Sequence, residues 1–160
     1  MLLSANIDVL KFLDYVPDRY LIWDTDIDNF TIPSHIKRIG NFSFGYSNIE
    51  HVDFSKSVNL RIIDIGAFSD CDHLRSVDLP DGLVKIQESA FINSALEHVF
   101  IPKSVSQIGL GAFSGCINLP GYIEYGGTKS EWYKIIKPNN FAAASTIDFI
   151  KCTDGEVLIY

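Results

Sequence analysis

The sequence of 160 residues has few of the features that are typical of disulfide-rich, zinc-binding, membrane and secreted proteins. Its three cysteines, Cys71, Cys116 and Cys152, are widely spaced and include no C-x-x-C pair, which disfavours a disulfide framework or a zinc site and favours a reducing compartment. No stretch reaches the roughly 18 apolar residues of a membrane span. The first residues also lack the basic region and cleavage site of a signal peptide. We therefore expect a cytoplasmic protein with no membrane association.

Basic residues are scarce as well. The chain has 13 lysines and arginines against 20 aspartates and glutamates, for a formal net charge of −7. No basic stretch is present that could release counterions from DNA or RNA, so direct binding of nucleic acid is not expected. The charge fits a basic protein partner, or a competitor for the nucleic-acid groove of another protein.

Motifs for catalysis, cofactors and metals are incomplete. The glycines of "IGLGAFSGC" (108–116) have neither the spacing of a dinucleotide fingerprint nor the lysine of a P-loop. "DTDIDN" (24–29) starts like a calcium loop but lacks its glycine and its final glutamate. His51 and His98 fall on strands about 10 Å apart, which is too far for one zinc ion. We assign no catalytic residue, cofactor or metal ligand, and we do not expect an enzyme.

What the chain does contain is an internal repeat. The string "IGLGAFSGC" has relatives in "IDIGAFSDC", "IQESAFINS" and "IGNFSFGYS", each with a small residue before a phenylalanine. These phenylalanines recur every 22 to 24 positions, at Phe44, Phe68, Phe91 and Phe113. Each is preceded by a segment such as "LRSVDLP" or "LEHVFIP", whose alternation is typical of a strand with one buried face. Strands of this kind must stack on their neighbours to bury that face, which predicts a solenoid in which the glycines serve turns.

The repeat unit, a strand ending in Leu-Pro or Ile-Pro followed by I-G-x-x-A-F-x-x-C-x-x-L, resembles the BspA-like leucine-rich repeats. The resemblance implies a leucine-rich-repeat solenoid of the α/β to mainly β class. It further implies a curved right-handed stack whose parallel concave sheet binds proteins or surfaces. In the fifth strand, "LPGYIEY", the pattern places Leu119 and Tyr122 inward, with Glu124 at an inward position and Ile123 outward.

The two ends indicate three parts of the chain. We expect an N-terminal capping helix and lead-in over 1–26, four to five repeats over 27–125, and a C-terminal helix with a β-hairpin over 126–160. Thr128 and Glu131 form a T-x-x-E capping box that opens a short helix, with Trp132 and Ile135 on one side. Asp154-Gly155, in an alternating segment, predicts the hairpin.

The concave residues between the apolar positions have no packing duty, so we expect function there. Phe100 is an outward apolar group, joined by Ile123, beside a lane of acidic side chains; apolar anchors rimmed by charge are common in interfaces. The candidate partner-binding residues are Asp28, Glu50, His51, Asp53, Arg75, Asp78, Glu97, His98 and Phe100.

These features favour a non-catalytic protein–protein interaction module, an adaptor or an inhibitor, whose partner lies on the concave acidic face. One alternative is a small phage or mobile-element effector that blocks a host nucleic-acid-binding or defence protein. A second is a surface or tail-fibre attachment module. A solvated acidic face without a partner also fits the pattern, and the oligomeric state stays open.

Overall fold

The computed structural model describes residues 9–19 and 27–159, which form a solenoid with two sheets. A seven-stranded sheet has the spatial order β12-β11-β10-β8-β6-β4-β2, and a five-stranded sheet the order β1-β3-β5-β7-β9. All neighbouring strands are parallel except the antiparallel pair β11 and β12. The strands of the seven-stranded sheet are β2 (Asn29–Thr31), β4 (His51–Asp53), β6 (Ser76–Asp78), β8 (His98–Ile101), β10 (Tyr122–Tyr125), β11 (Phe149–Cys152) and β12 (Gly155–Leu158). Those of the five-stranded sheet are β1 (Tyr15–Val16), β3 (Arg38–Ile39), β5 (Ile62–Ile63), β7 (Lys85–Ile86) and β9 (Gln107–Ile108).

Each turn of the solenoid adds one strand to the seven-stranded sheet, and six such strands run parallel. Within a strand the middle side chain points into the core, as Val52, Val77 and Val99 do at 1 or 2% exposure. Apolar side chains from both sheets then fill one continuous core along the stack. The expected solenoid with a parallel sheet is confirmed.

The repeated phenylalanines form a stacked column through this core. Ring centroids lie 4.9 Å apart for Phe44 and Phe68, 5.2 Å for Phe68 and Phe91, and 5.4 Å for Phe91 and Phe113, with planes within 6° of parallel. All four side chains are fully buried. We call this column the phenylalanine spine.

Backbone hydrogen bonds join the turns beside the spine. The N–H of Phe68 donates to the carbonyl of Ala90 at 2.7 Å, and the N–H of Phe91 to that of Ala112 at 2.8 Å. A buried alanine precedes the phenylalanine in most turns because the neighbouring backbone comes this close. The corner of the solenoid is therefore a third hydrogen-bonded ladder, although its residues are not in extended strands.

The glycines of residues 108–116 serve this corner. Gly111 and Gly115 have φ angles of +63° and +74°, in the left-handed region that glycine adopts without strain. The equivalent positions of the preceding turn hold Ser89 and Asn93, both at φ +56°. Gly109 is needed for space, because a Cβ there would lie 2.3 Å from the backbone nitrogen of Glu88. The interpretation of these glycines as turn residues is confirmed.

The fifth strand differs from its expected register. Ile123 and Tyr125 are buried at 0% and 3% exposure and continue the inward positions of β8, whereas Tyr122 and Glu124 lie outside. The expectation that Ile123 is outward and that Tyr122 and Glu124 are inward is therefore wrong. One more residue separates Leu119 from the strand than in the other repeats, and Gly121, at φ +94°, lies within that stretch.

The C-terminal segment continues the stack. The short helix α1 (Lys129–Trp132) has Thr128 as its N-cap, with the reciprocal contact from Glu131, so the capping box is confirmed. After α1, Ile136 bridges to Gln107 of β9, and the N–H of Phe113 donates to the carbonyl of Phe141 at 2.8 Å. The predicted hairpin is present as β11 and β12, and β11 itself extends the parallel sheet.

At the N-terminus a 3₁₀ helix, Val9–Phe12, stands where a capping α-helix was expected. Leu10 is buried in the core, whereas Phe12 is 86% exposed. The rest of the expected helix, and Asp24 and Asp26 of the calcium-like run, lie outside the described residues.

Candidate functional site

The outward side chains of the seven-stranded sheet make one continuous surface, which we call the outer face. Strand pairing arranges these side chains in two rows that cross the strands. The first row contains Asn29, His51, Ser76, His98, Tyr122, Phe149 and Leu158. The second contains Thr31, Asp53, Asp78, Phe100, Glu124, Lys151 and Glu156.

Five of the candidate partner-binding residues lie together on this face. His51, Asp53, Asp78, His98 and Phe100 occupy the neighbouring strands β4, β6 and β8. The other four candidates, each exposed, lie just before their strands: Asp28, Glu50, Arg75 and Glu97. The acidic candidates therefore lie in two groups and not in one lane: Asp53 and Asp78 are on the outer face, and Asp28, Glu50 and Glu97 lie just before the strands. Glu97 is paired with Arg75.

The outer-face carboxylates have defined partners. Asp53 accepts hydrogen bonds from the Ser55 N–H at 2.8 Å and from the Thr31 hydroxyl at 3.3 Å. The contact with Ser55 is the main reason that the pKa of Asp53 is lowered, so this carboxylate is charged at neutral pH. Nε2 of His98 lies 3.0 Å from Oδ1 of Asp78, whose side chain remains 80% exposed.

A groove of about 580 Å³ is lined by β4, β6 and the loops that follow these two strands. Its polar lining includes three carboxylates, Asp53, Asp78 and Asp81, while Val58 and Pro80 are part of its apolar lining. No lysine or arginine of the described residues lines it. We call it the acidic groove.

The acidic groove has a sequence signal that motif analysis missed. The segment from Phe54 to Leu60 is two residues longer than the matching segment from Leu79 to Leu83. The longer loop carries Val58 outward, at 63% exposure, to one side of the groove. Ser55 in this loop replaces the proline found after the strand in other turns, and its free N–H binds Asp53.

The apolar part of the outer face extends beyond Phe100, the expected apolar group, to Tyr122 and Phe149, which are half-buried as Phe100 is. Phe100 is half-buried and its ring covers Gly126, where a Cβ would lie 2.9 Å from Cζ of the ring. The larger apolar group lies farther along the sheet, where the rings of Tyr122 and Phe149 stack with centroids 5.4 Å apart. Leu158 is next to Phe149 on β12 and is 58% exposed.

A charged pair borders these two rings. Nζ of Lys151 lies 5.3 Å from the centre of the Tyr122 ring and 3.0 Å from Oε1 of Glu124. Both contacts stabilise the ammonium, and the pKa of Lys151 is raised chiefly by its hydrogen bond to Glu124. Lys151 therefore places a cation beside the aromatic pair, whereas no lysine or arginine of the described residues lines the acidic groove.

The cysteines and histidines supply no reactive cluster in the described residues. The three thiols are free and buried, and desolvation raises the pKa of Cys71 and of Cys116 to about 12. A neutral thiol of this kind is a poor nucleophile and a poor metal ligand. Within residues 9–19 and 27–159 no group of three or more histidine, cysteine or acidic side chains is placed to hold a metal ion. Nor does that part of the chain contain a helix long and apolar enough to cross a membrane.

Comparison with known proteins decides the family. The family model for the BspA type leucine rich repeat region, in 6 copies, matches residues 14–121, which is more than half of the chain. The chain belongs to this family. Leucine-rich repeats of the BspA type indicate a protein-interaction module, and the family typically consists of binding or surface proteins without catalysis.

Solved structures of other leucine-rich repeat proteins have the same fold. A leucine-rich repeat protein from Bacteroides ovatus is 26% identical over 76% of this chain, with a TM-score of 0.60. One from Eubacterium ventriosum is 22% identical over 68% of this chain, with a TM-score of 0.57, which shows the fold alone. This BspA-type chain spans 30% and 27% of those two proteins. No curated protein matches it.

Proposed function

We propose that this leucine-rich repeat protein is a non-catalytic adaptor or inhibitor that holds a protein partner against the outer face. The observation that supports this most is the placement of the acidic groove, at β4 and β6, near the stacked Tyr122 and Phe149, at β10 and β11. Only β8 separates the two features, so about 10 Å lies between β6 and β10. Aromatic anchors beside charged positions are typical of protein interfaces.

The two features would contribute in different ways. Tyr122 and Phe149 offer apolar area that a partner can remove from water, which supplies binding free energy. The carboxylates of the acidic groove are exposed and screened by salt, so each adds little affinity but favours a basic partner and speeds its approach. The apolar side chains of Val58 and Pro80 in the groove suit the aliphatic part of a lysine or arginine.

Site-specific photo-cross-linking in cells of the native host tests the proposal. A photoreactive amino acid replaces Ser76, which lies in the acidic groove, or Glu88, which is exposed between β7 and the spine. We expect one host protein to cross-link from position 76 and not from position 88. Equal cross-linking from both positions would contradict binding at the outer face.

The identified partner then permits a second test with purified proteins. Phe149→Ala should raise the dissociation constant, and Asp78→Asn should slow association at low salt; Asp72→Asn, an exposed change outside both sheets, is the control. Melting temperatures of all variants verify that they are folded. Unchanged binding by both outer-face variants would refute the proposal.

A further inference from the structure

The last strand of the seven-stranded sheet, β12, has a neighbour on one side only within the described residues. On that side β11 pairs with it, and the N–H of Ile159 donates to the carbonyl of Asp148 at 2.9 Å. N–H and C=O groups of successive residues point to opposite sides of an antiparallel strand. Those of Val157 therefore face β11, like those of Ile159, and those of Glu156 and Leu158 face away from the sheet.

A mainly apolar groove of about 370 Å³, whose polar lining includes Lys137 and Asn139, runs beside this open edge. Trp132, Phe141 and Val157, which belong to the buried core, contribute to its lining. Tyr133 and Leu158 also line it and are 70% and 58% exposed. The groove thus reaches the edge of the core at this end of the solenoid.

We propose that β12 and this apolar groove form a second binding site, which takes an extended segment of another protein as an added strand. The outward-facing N–H and C=O groups of Glu156 and Leu158 require a partner backbone with the same spacing. Side chains of an added strand alternate, so apolar residues at every second position would enter the groove. The residues between them would continue the outer face.

The negative charge of Glu156 on β12 favours a basic residue opposite it in the added strand. Glu156 is on the outer face, where β11 places Lys151 opposite it. An added strand with a lysine or arginine at the matching position repeats this arrangement on the other side of β12. A segment with the pattern of β11, in which Ile150 faces the core and Lys151 the outer face, has both required features.

The same charge disfavours a second copy of this chain as the occupant. An antiparallel pair of β12 strands with a two-fold axis at Glu156 would place the two Glu156 side chains directly opposite each other, where like charges are destabilising. With the axis at Val157, Glu156 lies opposite Leu158 and the two carboxylates are diagonal neighbours on one face, and each chain carries a net charge of −7. The site is independent of the acidic groove and of the partner proposed for the outer face.

A peptide copied from β11 serves as the probe. Its sequence is TIDFIKST, residues 146–153 with serine in place of Cys152. NMR-detected hydrogen exchange should show saturable protection of the Glu156 and Leu158 amides when the peptide is added to the full chain. A peptide with glutamate in place of the lysine should bind about twofold to fivefold more weakly, and Glu156→Lys should reverse that order.

Variants of the edge complete the test. Leu158→Pro removes an outward N–H and should abolish the protection at Glu156, while Tyr133→Asp, at an exposed residue of the groove, leaves β12 unchanged and should weaken binding through the groove. Ile117→Asp, at a residue that is 66% exposed outside both sheets, is the matched control. Asp78→Asn, in the acidic groove, should leave peptide binding unchanged, so that this site and the outer face are judged separately.

Three results would overturn the proposal. The first is the absence of saturable protection at Glu156 and Leu158 in the wild-type chain. The second is an equal loss of binding in Ile117→Asp. The third is protection of the same amides that grows with protein concentration without peptide, which would identify a second copy as the occupant.

Discussion

The thiol of Cys116 donates a hydrogen bond of 3.1 Å to the backbone carbonyl of Phe91, one turn earlier in the solenoid. In the turn between Cys71 and Cys116, the hydroxyl of Ser94 donates to the carbonyl of Phe68 at 2.7 Å in the same manner. The cysteine position of the repeat is therefore a place for a small buried donor, which satisfies a carbonyl of the phenylalanine spine.

Replacement of Cys116 tests this role. Cys116→Ser keeps a donor, as Ser94 does, whereas Cys116→Val removes it and leaves the buried carbonyl of Phe91 without that partner. Because the Phe91 carbonyl still accepts a hydrogen bond from the Ser94 N–H at 3.3 Å, we expect Cys116→Val to lower the free energy of unfolding by only about 0.5–1.5 kcal/mol, and Cys116→Ser to lower it less. Urea denaturation monitored by circular dichroism measures both, and the opposite order would contradict the hydrogen-bond role.

The buried thiols also predict a loss of stability at high pH. Burial raises the pKa of Cys71 and Cys116 to about 12, from 9.0 for an ordinary thiol. The unfolded chain therefore loses these protons first, and stability that is complete below pH 9 falls as the pH rises towards 12. Urea midpoints across this range should fall less steeply in a Cys71→Ser, Cys116→Ser double variant; identical slopes would show that the thiols do not cause the fall.

Truncation of the spine should be costly. Phe91 stacks on Phe68 and Phe113 at 5.2 and 5.4 Å and is fully buried, so Phe91→Ala removes two ring contacts and leaves a cavity. The expected loss is about 3–5 kcal/mol of unfolding free energy. Phe12→Ala, the same change at 86% exposure, should alter stability by less than about 0.5 kcal/mol. Similar denaturation midpoints for the two variants would contradict a buried spine.

The two kinds of glycine in residues 108–116 should respond differently to substitution. Gly109→Ala places a Cβ 2.3 Å from the Glu88 nitrogen, a backbone atom, and should cost about 3 kcal/mol or more. Gly111→Ser copies Ser89, which already adopts a positive φ, and should cost about 1–2 kcal/mol. The melting temperatures of the two variants, measured by thermal denaturation, compare these losses of stability. A larger loss in Gly111→Ser would mean that backbone conformation outweighs close packing here.

The sequence predicts best what it repeats. Phe44, Phe68, Phe91 and Phe113 recur with the same neighbours, so their alignment defines the turn, the buried positions and the parallel register. Physical spacing enforces the repeat, because rings stacked about 5 Å apart must sit one strand spacing from each other. For this reason the repeat predicts that Phe91 is a core residue.

Features that occur in one turn only cannot be predicted by aligning the repeats with one another. The extra residue before β10 has no equivalent in another turn, so the outward Tyr122 was placed inward, and its contact with Phe149 was missed. The acidic groove depends on two additional residues between Phe54 and Leu60, and its carboxylates come from more than one strand. The repeat does not predict the need for glycine at position 109 either, because Asp64 occupies the equivalent position in another turn; the distance to Glu88 shows that need.

The stacking of the phenylalanine spine keeps a nearly constant spacing between successive turns, and so between the strands of the outer face. Its rings, 4.9 to 5.4 Å apart, advance by one strand per turn. Removal or duplication of a whole turn between the acidic groove and the aromatic pair would change their separation by about 4.8 Å. Each remaining turn would still pack against another repeat. Gain or loss of whole turns can therefore change the distance between the acidic groove and the aromatic pair in steps of one strand spacing, while the contacts within each turn stay the same.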